Sequence, residues 1–395
     1  MISKTIRGRV HYLDNLRAYI MWLGVVIHVA MLQMVSDTPQ RLREPELSEW
    51  ADMLVFSIHS FRMPLFFILS GFFVAAILGR KGLGETIRLR LVRIGIPLLI
   101  FGPVISYSLG SIIVEYLQLM QTSGAEIDQD WLVQAQDHRF NFAHLWFLYY
   151  LFICHIILLP LFYKLSLSNS LRLKRCRYWA SHPVAIMFYA VMIAYVDSHF
   201  ERGMIPADGK LIPNPLQLLH YIPYFCFGFM MYKFRRLWLN HYQRCWGRYT
   251  LLGCVMMVAT LVVIEPLLYA PGTQVDNFLV AYCYGLWGWF WSFALFGFFK
   301  HWLSSYKSWL RYLSDSAYWV YIVHLPIVLL VSYALYHYEW AFYVKMLVNI
   351  ALTSAVSLLS YHLFVRYTWL GLLLNGKRRS RKWPKRQNTA KLGEA

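Results

Sequence analysis

The chain has 395 residues, 58% hydrophobic, 18% aromatic and 15% charged, with a formal net charge of +18. A soluble domain carries roughly 25% charged residues, so a surface that faces water all round is excluded and an all-α polytopic membrane protein is expected. The excess of Lys and Arg would suit nucleic acid in a soluble protein, but here it sits in short gaps between apolar runs, so no nucleic-acid partner is expected.

A membrane-crossing helix needs roughly 20 mainly apolar residues. About ten such stretches are predicted, at 15–35, 53–79, 93–119, 143–163, 182–199, 216–232, 249–270, 277–299, 317–337 and 341–365. Residues 1–14 form a basic N-terminal segment; the apolar run after it carries no small-residue cleavage site and is expected to stay as the first span. Residues 15–365 then make one transmembrane domain, and 366–395 a basic, disordered tail that touches anionic lipid. Of the 38 basic residues, only Arg41, Arg43, Arg139, Arg202 and Lys210 fall in the odd-numbered gaps, while Arg62 and Lys345 lie within spans. Positive charge favours the cytoplasmic side, so both termini are expected there. The other face holds acids: Asp37, Glu44, Glu46, Glu49, Glu126, Asp128, Asp130 and Asp137, expected as solvated loop charge. The six cysteines form no CxxC pair, which supports neither a disulfide framework nor a metal site.

Ionisable residues inside spans are costly and mark function by default. Span 1 places Asp14 and Arg17 one turn apart at the inner surface, and His28 about 16 Å further along the axis. Span 2 runs the opposite way, with His59 and Arg62 on one face, so two histidines and an arginine converge in the outer half. Pro64 frees a carbonyl nearby, which is tolerated where a cavity or a polar partner receives it. A buried guanidinium needs an anion, and the neighbouring span residues supply none. Ser70 follows deeper in span 2.

At the start of span 3, Arg88, Arg90 and Arg93 form an inner-surface cluster; guanidinium forks suit phosphate oxygens, although anchoring at the cytoplasmic face also explains it. Later features are His144 at the outer start of span 4, then Tyr321 and His324, the latter in the inner half of span 9. The aromatic run from Tyr282 to Trp291 either stacks on sugar rings or packs internally. Glu115 and Glu265 approach the outer ends of their spans, and nothing selects one of them as a histidine partner.

A phosphorylated reactant held inside and an acceptor outside suit acyl transfer from a coenzyme A thioester to a sugar hydroxyl. Arg17, Arg88, Arg90 and Arg93 would bind the donor phosphates. His28 would act as general base, and Arg62 would stabilise the tetrahedral oxyanion. That chemistry needs no metal and no bound cofactor.

The Arg17-to-His28 spacing resembles the signature of the acyltransferase 3 family of membrane acyltransferases. Four stretches resemble its branch for osmoregulated periplasmic glucans: Tyr12 to Ala18, His59-Ser-Phe-Arg-Met with Phe66 to Gly71, His144-Leu-Trp-Phe-Leu, and Tyr321-Ile-Val-His-Leu-Pro. The resemblance runs from about residue 10 to 370. It implies transfer of succinyl groups from succinyl-CoA to periplasmic glucan at the bacterial inner membrane, with membrane lipid and other glucan-biosynthesis proteins as partners. It also implies a catalytic His28 and a donor-side Arg17, while His59, Arg62 and His324 match motif positions without assigned roles. An acetyltransferase acting on lipopolysaccharide or peptidoglycan shares the mechanism. A transporter or flippase of lipid-linked sugar is the reading from another class, though the chain lacks the internal repeat such proteins often show.

Overall fold

The computed structural model describes residues 11–36, 42–127, 129–137, 140–167, 183–207, 209–269 and 276–376. Of the residues named above, Asp37, Arg41, Asp128, Arg139 and the tail beyond residue 376 lie outside these, as do the side chains of Asp130 and Glu265. The described regular elements are all helical: α1 His11–Met31, α2 Glu49–Arg90, α3 Ile96–Thr122, α4 Gln129–Gln136, α5 Trp146–Leu167, α6 Pro183–Asp197, α7 Pro215–Lys233, α8 Arg235–Tyr269, α9 Asn277–Trp302, α10 Ser308–Leu335, α11 Phe342–Ser360 and α12 Trp369–Asn375.

A helix fills most of each expected span. Among the described residues, six stretches are long and apolar enough to cross a membrane, and the first of them, Glu49–Thr122, holds two of the expected spans. Val184–Asp197 is a shorter apolar helix. The chain is a membrane protein. Helices α1 and α7 fall short on apolarity because of the polar residues they carry, Asp14, Arg17 and His28 on one and Gln217 and His220 on the other.

Helix α1 packs between α2 and α10, α2 also runs along α7, and α9 packs on α2, α6 and α8. The α2–α7 crossing is backbone on backbone. A methyl at Gly71 would collide with the Phe225 carbonyl, and one at Gly228 with that of Ile68. Such small-residue contacts bring membrane helices together where lipid removes the usual hydrophobic drive. Pro64 cannot bond the carbonyl four residues back, and that carbonyl, of Ser60, faces the bare Cα of Gly288 on α9.

Two sequence expectations change here. The gap between spans 2 and 3 is helical instead of a loop: α2 bends at Gly82, whose φ of 76° favours glycine, and a π-type turn over Leu91–Gly95 joins it to α3. Within the segment expected as tail, Trp369–Asn375 forms α12, which packs against α10 and the π-type turn.

Glu44 is a third change. It is 5% exposed, far from solvated loop charge. It accepts from Ser332 Oγ and pairs with Lys345 at 3.4 Å, which gives the lysine inside span 10 its counter-charge. Asp52 pins the same loop by accepting from the Val35 and Ser36 amides at 2.8 and 3.1 Å. Burial pushes the Glu44 carboxyl up to about 7, and Lys345 only partly offsets it.

A folded value above the ordinary 4.5 means that folding favours the protonated acid. Its contribution is full below about pH 4.5 and is lost as pH rises through about 7, by at most about 3 kcal/mol. The detergent-solubilised protein is therefore expected to melt several degrees lower at about pH 8 than at about pH 5. Glu44→Gln should flatten that slope; an unchanged slope in the variant would exclude Glu44 as its source.

Candidate functional site

A cavity of about 1400 Å³ lies at the end of the bundle that carries Ser36, Leu42, Arg202 and Lys210. Its lining includes His28, His59, Arg62, His144 and Tyr321. The convergence expected of spans 1 and 2 is present, and two further histidines join it. The His28 ring lies 5.2 Å from that of His324 and 6.3 Å from that of His144, and these two are 4.9 Å apart. His324, expected in the inner half, thus shares the His28 layer. Helix α10 begins nine residues before the predicted span, so His324 sits near its middle.

Backbone carbonyls fix the proton positions of two of these rings. His324 Nδ1 donates to the Tyr321 carbonyl at 2.8 Å and the Val320 carbonyl at 3.1 Å. His144 Nε2 donates to the Tyr321 and Ile322 carbonyls at 3.0 and 3.1 Å. In return the Tyr321 hydroxyl donates to the His144 carbonyl at 2.7 Å. A carbonyl only accepts, so each bonded nitrogen carries the proton and the other ring nitrogen keeps its lone pair. Those nitrogens, His324 Nε2 and His144 Nδ1, are buried without a hydrogen-bond partner, as are Nδ1 of His28 and of His59. The residue before His144, Ala143, holds a left-handed φ of 46°, with its amide bonded to Asn141 Oδ1 at 2.7 Å. Strain of this kind persists only where surrounding structure holds it, and here it turns His144 into the bundle.

Arg62 is 5% exposed. Its Nε donates to the Ile20 carbonyl on α1 at 3.1 Å, and its charge lies over the Phe66 ring at 5.8 Å. Its guanidinium occupies the space that a side chain at Gly24 would take, beside His324 Nε2. No carboxylate pairs with it among the described residues. A buried cation ringed by unpaired imidazole nitrogens suits an anion that forms transiently. Among the described residues no three His, Cys, Asp or Glu side chains converge as metal ligands.

The arginine cluster lies at the other end and is smaller than expected. Arg17, Arg90 and Arg93 are close enough to repel one another, and Arg90 Nε is buried with no partner. Arg88 points away and pairs with Glu85 at 3.2 Å. Asp14 stays with Arg17, 4.0 Å apart. Neither is near the histidines.

Ser70 also departs from the histidine group. It meets His155 Nε2 at 3.3 Å, while His155 Nδ1 donates to the Leu151 carbonyl at 2.6 Å. His155 was not singled out from the sequence, although a histidine inside an apolar run is the same signal that marks His28. Phe66, Phe67, Ile68 and Leu69, between Arg62 and Ser70, are all buried. None of the four arginines lines the cavity, so packed apolar side chains separate the two ends. Glu115 is exposed and Trp287 and Trp289 are buried in the core, so none of the three lines the cavity, whereas Tyr284 of the same aromatic run does.

A family model described as an acyltransferase domain matches residues 10–372. The chain is 23% identical over 389 residues to the glucans biosynthesis protein C of Escherichia coli K12, covering 93% of this chain and 95% of that protein. Proteins of the same name from Escherichia coli O139:H28 strain E24377A and from strain SMS-3-5 match to the same extent. No solved structure matches.

The carbonyl contacts set an expectation for nitrogen NMR of the purified protein with labelled histidine. His324 should show the Nδ1–H tautomer and His144 the Nε2–H tautomer, each assigned by loss of its signal in a His→Gln variant. The reverse pattern would overturn the assignment of lone pairs at the site.

Proposed function

The chain belongs to the acyltransferase 3 family, and from that premise we propose that it transfers succinyl groups from cytoplasmic succinyl-CoA to osmoregulated periplasmic glucans. In this reading it sits in a bacterial inner membrane with ten spans and both termini in the cytoplasm, so that the cavity faces the periplasm and the arginine cluster faces the donor. The observation that carries it is Arg62, a buried cation with no carboxylate partner among the described residues, set among histidines whose lone pairs have none there either.

The acceptor hydroxyl oxygen attacks the thioester carbon while His28 takes its proton. The tetrahedral oxyanion forms beside Arg62, which loses no stabilisation to a resident anion. Collapse breaks the carbon–sulfur bond, and the CoA thiolate takes up the proton that His28 holds. His324 and His144, fixed by the α10 carbonyls, keep unprotonated nitrogens in the same layer as His28 and can accept a hydrogen bond there. His59 borders the acceptor side of the cavity. Arg17, Arg90 and Arg93 hold the donor phosphates, and the pantetheine arm parts the packed layer around Phe66 and Leu69 to present the thioester.

A succinyl group brings a free carboxylate, and Arg202, a second cation lining the cavity, is the partner for it that leaves Arg62 to the oxyanion. Acetylation of lipopolysaccharide or peptidoglycan is the alternative outcome. Other glucan-biosynthesis proteins would deliver the acceptor.

His28→Ala should abolish succinyl substitution of periplasmic glucan in cells that lack their own activity, with the variant present in the membrane at normal level. Normal substitution would remove His28 from catalysis, and loss of acetyl groups on lipopolysaccharide instead would replace the acceptor. Arg90→Ala and Arg17→Ala should each raise the KM for succinyl-CoA by about tenfold, the loss of one charge-assisted contact. Arg88→Ala should stay within about twofold, since a surface pair contributes little. Equal effects at Arg88 and Arg90 would show that bulk charge, and not this cluster, binds the donor.

A further inference from the structure

The wall of the cavity away from His28 carries a second polar group that the acyl chemistry does not use. Asp197 ends α6 and His220 lies in the first half of α7. His220 Nδ1 meets Asp197 Oδ1 at 2.7 Å, with side-chain exposures of 11% and 7%. Both line the cavity, together with Tyr221, Tyr224 and Tyr284. The His220 ring lies edge-on to Tyr221 at 4.6 Å and tilted to Tyr224 at 5.3 Å. All three phenols fall within electrostatic reach of Asp197.

This donor and acceptor set selects by charge. Asp197 repels an anion at this wall. Arg62, Arg202 and Lys210 also line the cavity and disfavour a cation, and Asp137 adds a second acid to its lining. With its Nδ1 proton committed to Asp197, His220 offers an acceptor nitrogen; the Tyr221 and Tyr224 hydroxyls can both donate and accept, while Tyr284 donates to the Phe56 carbonyl at 3.3 Å and offers its lone pairs. A neutral ligand with many hydroxyls satisfies all of them at once. Aromatic rings beside these groups give its apolar ring faces a surface to rest on. The cavity volume of about 1400 Å³ exceeds the roughly 300–1,000 Å³ of small-molecule pockets, and so leaves room for several sugar units. From these observations we infer that Asp197, His220, Tyr221, Tyr224 and Tyr284 form a carbohydrate-binding subsite that holds the acceptor while one of its hydroxyls reaches His28. The inference rests on the acyl-transfer reading for its purpose, and on the cavity wall alone for its chemistry.

The test uses purified full-length protein in detergent, with unsubstituted glucose oligomers as the probe. Trp146 borders the cavity 5.9 Å from Tyr221, so oligomer binding is read by tryptophan fluorescence with no acyl donor present. Wild type should bind, and His220→Gln and Asp197→Asn should each weaken binding at least tenfold. In the transfer assay the same variants should raise the KM for glucan about tenfold, with kcat within threefold and the KM for succinyl-CoA within twofold. Tyr224→Phe, which removes one hydroxyl and keeps the ring, should weaken binding by several-fold at unchanged elution on size exclusion. No oligomer binding by wild type would overturn the subsite even if His28-dependent transfer to another acceptor is found. Binding that is lost in His220→Gln would uphold it even if no transfer is detected. Variants that lower kcat with KM unchanged would overturn the binding role, and a site displaced by tetramethylammonium but not by glucose oligomers would overturn the ligand class.

Discussion

The site is organised by one expensive fact, a guanidinium held inside an apolar bundle with no carboxylate beside it among the described residues. Removing one partner from a buried ion pair costs several kcal/mol, and Arg62 has no such described partner to lose. What Arg62 has instead is a single carbonyl, that of Ile20, and a ring face, that of Phe66. These hold the group in position without neutralising it. Its full charge stays available to whatever forms in the cavity, and in a low-dielectric setting that charge acts strongly over a few ångströms.

The surrounding helices are arranged to permit this. Gly24 on α1 leaves the space that the guanidinium fills, so a residue with no side chain does as much for the site as its histidines do. The α10 carbonyls accept hydrogen bonds from His144 and His324, and the lone pairs left over have no partner among the described residues. Helix α2 carries Arg62 and His59 and meets α7 and α9 through glycine contacts at Gly71, Gly228 and Gly288. Close backbone approach there fixes α2 along much of its length. Rigid supports matter for a site whose central cation has only one hydrogen bond.

Much of this was legible in the order of residues, because an ionisable group in an apolar run is conspicuous. His28, His59 and Arg62 stand out on that ground alone, and the positive-inside pattern puts them in one layer. What the residues could not convey is how distant segments meet. His324 lies almost 300 positions after His28, and its level depends on where α10 begins, nine residues before its apolar run does. Arg88 and Arg90 look equivalent as sequence, yet the helical turn that replaces the loop aims one at Glu85 and the other inward. Glu44 looked like loop charge because its partners, Ser332 and Lys345, belong to helices that close over it. Asp197 stands where a span ends, so its charge is unremarkable until His220 is seen against it.

Charge also divides the molecule along its length. One end gathers Arg17, Arg90 and Arg93, where cations crowd at the cost of mutual repulsion. Such crowding is tolerated when a multiply charged ligand relieves it, and a nucleotide phosphate is such a ligand. The other end holds one buried cation, Arg62, with no carboxylate partner among the described residues, and in the proposed reaction its partner is an anion that exists only while a bond is being made. Between them lies a packed layer that includes Phe66, Phe67, Ile68 and Leu69. A charge could not rest in that layer, but a pantetheine arm is uncharged. The layer therefore separates the two polar ends while an uncharged arm can lie within it, and a succinyl carboxylate would have to cross it and come to rest only in the cavity. A thioester admitted through it would meet the cavity only beside Arg62, where its carbonyl gains an electrostatic partner as the acceptor hydroxyl attacks.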